Sequence, residues 1–345
     1  MLPILQLIRA PESVRSWGTR PWADTLPRLQ QCGLTAHAAV LVARAGLGRD
    51  DVPEGVRRQF LATSLDSDAQ LRTLRWELGE VVRALSGRGI RAVPLKGADY
   101  LLRNGTPSLG RTVADLDILV AKADVAATTE ALQLAGWGIG GEAVQEGNHQ
   151  LPGFVHSERS TQLELHFQVV AEGGAVTFDV GQVISGAALQ PDGVLAILQP
   201  ADTVLVRTAH FIRNSRTTAA FRDLLDLREL VADFTATDPD FGATLIARAE
   251  RVGLGAALSR AVRDSTTLFG PLAAAELNSW ARRRRPSLGG GSALALIPDG
   301  ATLPSFGVRL SRVGRMFARM RSAYPPGKTL QVGWQVLFGS EAKDA

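Results

Sequence analysis

The sequence predicts an α+β fold, with a small mixed-sheet core between N-terminal helices and a C-terminal helical domain. Three observations carry this. Apolar residues recur at helical steps before residue 90, three short β-like runs (90–95, 113–120 and 163–169) are confined to the middle of the chain, and helical spacing returns from Ala201. The expected divisions are an N-terminal helical region at 1–89, the α/β core at 90–200, a helical domain at 201–286, and a linker with a basic tail at 287–345.

Taken in order, residues 22–45 read as two short helices punctuated by Pro27 and Gly33. Pro53 opens a long amphipathic helix, with Leu61, Leu65, Leu71, Leu74, Leu78, Val81, Val82 and Leu85 on its apolar stripe and Gly87 and Gly89 stopping it. The first β-like run ends at Lys96-Gly97, a short helix is expected over 98–103, and Asn104-Gly105-Thr106-Pro107 signals a turn. In the second run, side chains alternate between faces, so Asp115 and Asp117 share one face and Leu116, Ile118 and Val120 the other. A helix over 124–135 ends at Gly136. The third run places Leu163, Leu165 and Phe167 on one face, and Glu164, His166 and Gln168 on the other. The Gly-rich stretch 171–200 is expected to close the core with strands and turns. Helices are expected at 203–213, 220–234, 244–251 and 256–269, with one more ending before Pro286. SLGGGS at 287–292 reads as a linker. Arg309, Arg312, Arg315 and Arg319 then mark a basic amphipathic helix.

Composition narrows the function. A chain of 345 residues, 45% of them hydrophobic, can bury a substantial core. One cysteine, Cys32, rules out an intramolecular disulfide and fits a cytoplasmic setting. The apolar N-terminal stretch, cut by Arg9 and Glu12, is too short to span a membrane and lacks the features of a signal peptide. Charge is uneven: residues 251–345 hold 14 Lys+Arg against 5 Asp+Glu, a net +9, whereas residues 1–250 hold 24 against 29, a net −5. Such a tail suits either a solvated helical face or a phosphate-bearing partner. Zinc-ligand spacing, a phosphate-binding P-loop, a hydrolase nucleophile elbow and a dinucleotide-binding glycine fingerprint are all missing from the sequence.

The chemistry concentrates in VPLKGADYLLRNGTPSLGRTVADLDILV, residues 93–120. Carboxylates at i and i+2 of a strand reach one site, and Mg²⁺ takes hard oxygen ligands from one or two carboxylates plus substrate phosphates. Glu164, on the polar face of another strand, is the candidate third ligand or the base for an acceptor hydroxyl. Glycine after a strand lets phosphate approach the backbone, and Lys96 and Arg111 supply positive charge. His166 shares the face of Glu164.

Leu95-Lys96-Gly97, Arg111 followed by Asp115-Leu116-Asp117-Ile118-Leu119-Val120, and Leu163-Glu164-Leu165-His166-Phe167 together resemble an uncharacterised nucleotidyltransferase family of the polymerase-β-like superfamily. His149 in GNHQLPG, His210 in LVRTAHFIRN and Asp226 in FRDLLDLREL are also similar to family positions, with Asp226 the expected partner of His210. The likeness covers roughly residues 20–270. It implies metal binding by Asp115 and Asp117 with Glu164 as the third acidic position, Mg²⁺ or Mn²⁺ as cofactor, and an NTP as substrate. The implied reaction moves an NMP group to an acceptor hydroxyl with release of pyrophosphate. The wider superfamily usually has Gly-Ser or Gly-Gly at the turn and fewer residues before the aspartates. Here Lys-Gly stands there, with seventeen residues between Gly97 and Asp115. The expected acceptor is a small molecule or peptide, with nucleic acid less favoured. The alternative is a nucleotide- or partner-binding module of the same fold without turnover.

Overall fold

The computed structural model describes residues 2–113, 115–139, 151, 153–159, 161–169, 178–213, 217–284 and 293–297. His149, the 287–292 linker and the arginine series at 309–319 lie outside the described residues.

The N-terminal region is helical, as its spacing predicts: α1 (Pro3–Arg9), α2 (Thr19–Gln31), α3 (Thr35–Arg44) and α4 (Glu54–Leu85). Pro27 lies inside α2 rather than breaking it, and the turn to α3 is made at Gly33, whose φ is +63°. Trp22 and Leu29, buried on either side of Pro27, hold both halves of α2 against the core despite the lost backbone donor. In α4 the predicted stripe is correct from Leu74 onward, where Leu74, Leu78, Val81 and Leu85 are buried. It is wrong at Leu61 and Leu65, which are 63% and 60% exposed. The first half of α4 buries Val56 and Phe60 instead. A helix of 32 residues, roughly 48 Å long, rests on α3 with one half and on the core with the other, so its buried stripe turns along its length.

The core follows as β1 (Val93–Pro94), α5 (Gly97–Leu102), β2 (Asp115–Leu119), α6 (Val125–Leu134), β3 (Trp137–Ile139), β4 (Phe154–His156) and β5 (Gln162–His166). The five strands form one mixed sheet in the order β1-β2-β5-β4-β3. Only β2 and β5 are parallel, in a register that sets Asp115 beside Gln162, Asp117 beside Glu164, and Leu119 beside His166. All three predicted strands exist but are shorter than their apolar runs. The antiparallel pair β3–β4 escaped the sequence pattern because each strand is three residues long and β3 has Gly138 at its centre. The core is completed by α7 (Val180–Gly186) and a two-stranded ribbon, β6 (Ala188–Leu189) with β7 (Ala196–Ile197).

Helices α8 (Pro200–Arg213), α9 (Thr217–Thr237), α10 (Phe241–Arg251), α11 (Gly255–Phe269) and α12 (Ala275–Arg283) make the C-terminal domain. Two apolar clusters organise the molecule. One joins α4 and α6 to Leu116, Ile118, Leu163 and Leu165 on one face of the sheet. The other joins α1–α3 to α8–α12, with Ile4, Leu7, Trp22, Leu224, Leu245, Leu258, Phe269 and Leu277 all essentially inaccessible. Because the apolar side chains of β2 and β5 are taken by the first cluster, strand alternation turns Asp115, Asp117, Glu164 and His166 to the opposite face. Among the described residues, no helix is long and apolar enough to cross a membrane.

Candidate metal and phosphate site

Asp117 is the centre of the polar face. It is 2% exposed, and its Oδ1 accepts hydrogen bonds from Lys96 Nζ at 2.9 Å and from His166 Nε2 at 2.7 Å. Glu164 Oε2 lies 3.5 Å from the same His166 nitrogen. Burial alone would raise the Asp117 carboxyl. The Lys96 ammonium and the His166 hydrogen bond outweigh it and hold the group well below the usual carboxylate range. His166 is raised: burial disfavours its charged form, but its bonds to Asp117 and Glu164 prevail. Asp115 is pushed up by partial burial and by the charges of Asp117 and Glu164, against the pull of Lys96. Asp117 is thus favoured as a carboxylate that accepts from Lys96 and His166, while Asp115 ionises less readily beside two other acidic groups.

Lys96 reaches Asp117 from an unusual backbone. Its φ of 52° and ψ of −122° fall where side chains are strongly disfavoured and glycine is not. Gly97 follows at the start of α5, where an added Cβ would stand 3.0 Å from Val113 Cγ2 and 3.3 Å from Arg111 Nε. The glycine expected for close approach is therefore needed first by the chain itself, so that residues 111–113 can pass over the turn. These residues border a cavity of about 280 Å³ lined by Gln70, Lys96, Gly97, Arg111, Thr112, Val113, Asp115, Asp117 and Arg222. Three cationic side chains and two carboxylates thus share one small concavity.

Arg111 is expected on phosphate. In the structure it borders the cavity but is already engaged: its Nη1 donates to both oxygens of Asp226 at 2.7 Å, and its guanidinium lies over the Tyr100 ring. This corrects the pairing expected for Asp226, since His210 turns instead to Asp223, with Nδ1 2.9 Å from Oδ2. The reason is helical phase. Asp223 and Asp226 are successive on α9, and the buried Arg207 lies between them, 2.5 Å from Asp223 and 3.3 Å from Asp226. Arg207 Nε also donates to the Tyr100 hydroxyl at 2.7 Å. His210 is lowered by crowding from the surrounding protein, against the charge of Asp223.

Sequence reasoning missed Arg222. It donates to the Thr112 carbonyl at 2.8 Å, and burial lowers it to about 10. Its signal was present in FRDLLDLREL, where an arginine directly precedes the acid that holds His210.

A divalent cation fits this set of donors. Asp117, Glu164 and His166 each offer one ligand atom, and these atoms all lie within 4.8 Å of one another. Two carboxylate oxygens suit Mg²⁺ or Mn²⁺, and an imidazole nitrogen would join them only once it is deprotonated and released from Asp117. The structure thus brings His166 into the tight group, while Asp115, one step along β2, faces the cavity beside it.

Comparison with known proteins agrees with this geometry. A family model described as "Uncharacterised nucleotidyltransferase" matches residues 19–270, well over half of the chain. No curated protein and no solved structure matches.

Proposed function

The chain belongs to the uncharacterised nucleotidyltransferase family, and from that membership we propose that it transfers an NMP group from an NTP to an acceptor hydroxyl with release of pyrophosphate. The observation that carries this reading is the meeting of Asp117, Glu164 and His166 within 4.8 Å, next to a cavity that Lys96, Arg111 and Arg222 make cationic. Asp115 and Asp117, with Glu164, would hold Mg²⁺ or Mn²⁺. Such an ion supplies charge neutralisation of the phosphates and polarisation of the reacting oxygens.

The protein's own part is positioning. Lys96 and Arg222 present charge to the triphosphate, and Asp226 fixes the Arg111 guanidinium at the border of the cavity. His166 orients Asp117 through the Nε2–Oδ1 bond. Glu164, one strand over, takes the acceptor proton as the oxygen attacks the α-phosphorus and the bond to pyrophosphate breaks. The volume of about 280 Å³ suits a triphosphate better than a whole nucleotide. Base and acceptor are therefore expected to lie outside this concavity, and a small molecule or a peptide is the favoured acceptor.

The test is pyrophosphate release from each of the four NTPs with Mg²⁺ or Mn²⁺ against metabolite and peptide pools, with mass spectrometry for a nucleotide-sized gain. Asp117→Asn and Glu164→Gln are expected to lower release by about a hundredfold or more while near-UV circular dichroism stays native. Wild-type release rates in both variants would end the reading. NTP binding by calorimetry without any product would leave a nucleotide-binding module instead.

A further inference from the structure

The cation that faces Asp117 in this structure belongs to the chain. Lys96 Nζ is 2.9 Å from Asp117 Oδ1, inside the group of donors that could hold a metal, and its side chain is 18% exposed. Two features show that this placement is imposed rather than casual. The backbone of Lys96 adopts φ 52° and ψ −122°, a conformation that is unfavourable for any residue bearing a side chain. Asp117 is almost inaccessible, so the contact is desolvated and strong compared with a surface ion pair. A second donor, His166 Nε2, occupies the same oxygen at 2.7 Å.

We propose that Lys96 is a tethered competitor of the metal: its ammonium neutralises Asp117 until nucleotide arrives, and the ion binds tightly only when phosphates draw Lys96 away. This rests on reading Asp117 as a metal ligand. An ion approaching alone must displace a charge-assisted hydrogen bond from a buried carboxylate. When a triphosphate enters the cavity that Lys96 also lines, the ammonium gains a new anionic partner as the carboxylate gains the metal. The exchange leaves neither Asp117 nor Lys96 without a counter-charge, and it couples metal loading to substrate loading through one side chain.

The experiment is Mn²⁺ binding to the full chain without nucleotide, followed by electron paramagnetic resonance. Lys96→Met and Lys96→Gly are expected to bind Mn²⁺ about tenfold or more tightly than wild type, the scale of one hydrogen bond to a charged group. Lys96→Arg keeps the charge and should bind no more tightly than wild type. Lys96→Gly also removes the backbone strain and so guards against a variant that fails to fold. Asp117→Asn is expected to abolish the site in either background. Equal Mn²⁺ affinity in wild type, Lys96→Met and Lys96→Gly would overturn the competition while leaving Asp117 as a ligand. Absence of Mn²⁺ binding in all of them would overturn the metal assignment as well. A tight site in Lys96→Met alongside absent pyrophosphate release from the wild-type chain with every NTP and acceptor pool would support the competition while the transfer reading failed.

Discussion

At the scale of single residues, Lys96 shows how one position reconciles opposed demands. Its side chain is wanted at Asp117, but its backbone conformation is one that glycine adopts freely. These two contributions can be separated. Lys96→Ala loses the ion pair and keeps the strained backbone, whereas Lys96→Gly loses the ion pair and relaxes it. Lys96→Gly should therefore be more stable than Lys96→Ala by about 1 kcal/mol, read from urea unfolding midpoints. His37 offers a second test at this scale. Its Nδ1 donates to the Leu109 carbonyl at 2.9 Å, and its Nε2 lies 2.8 Å from Glu229 Oε1. A carboxylate and a carbonyl beside the two ring nitrogens favour the imidazolium. Burial works against that charge, but Glu229 and the carbonyl overcome it and raise the folded pKa above the ordinary 6.5. A group raised in this way stabilises fully below its unfolded value and loses that contribution as pH climbs through the folded one. The stability advantage of wild type over His37→Gln should accordingly be largest below pH 6.5 and shrink at higher pH, measured by urea unfolding across the range.

At the scale of elements, α9 does most to hold the site in shape. Its acidic residues hold much of the surrounding charge: Asp223 holds Arg207 and His210, Asp226 holds Arg111 and shares Arg207, Glu229 meets His37, and Asp233 accepts from the Thr106 amide and hydroxyl. Two of those partners, Thr106 and Arg111, belong to the segment that leads from α5 into β2, and His37 is bonded to the Leu109 carbonyl of the same segment. That segment also passes so close to α3 that a Cβ on Gly110, at φ +64°, would stand 2.5 Å from backbone atoms of Ala36 and His37. The segment that holds the turn signalled by Asn104-Gly105-Thr106-Pro107 is clamped from two sides. Asp226→Asn should cost about 3–5 kcal/mol, because it leaves Arg111 and Arg207 buried beside a neutral amide. The loss would be visible as a lowered midpoint in thermal or urea unfolding. It should also weaken NTP binding by releasing Arg111 from its fixed pose.

At the scale of the whole molecule, the two ends of the described chain share one core. Helix α1 buries Ile4, Leu5 and Leu7, and Arg9 closes the contact by donating to the carbonyls of Leu268 at 2.7 Å and Thr267 at 2.6 Å. Residues 2–17 precede the family-matched span of 19–270, yet their burial makes them part of the same packing unit. Deleting them removes the apolar side chains of α1 from the shared core and uncovers the part of α11 on which α1 packs. The truncated chain is expected to melt at lower temperature and to bind a hydrophobic dye that the intact chain excludes, both measurable by fluorescence. The same core brings α9 over the sheet, so the N-terminal helices support the site at a distance by fixing the helical domain against it.

The sequence by itself determined the helical flanks, the two strands that carry Asp115, Asp117, Glu164 and His166, and the face of each strand on which those side chains lie; their parallel pairing came from the tertiary structure. Helical and strand periodicities are local, and a run of five alternating residues is enough to state them. The tertiary structure alone decided which charged groups face one another. Arg111 found Asp226, His210 found Asp223 rather than Asp226, Lys96 found Asp117, and Arg222 reached the cavity from more than a hundred residues away in the chain. Such pairings depend on the phase of α9 against the core and on the competition among several arginines for a few buried carboxylates. That competition is settled by long-range packing, which leaves no period in the chain to read.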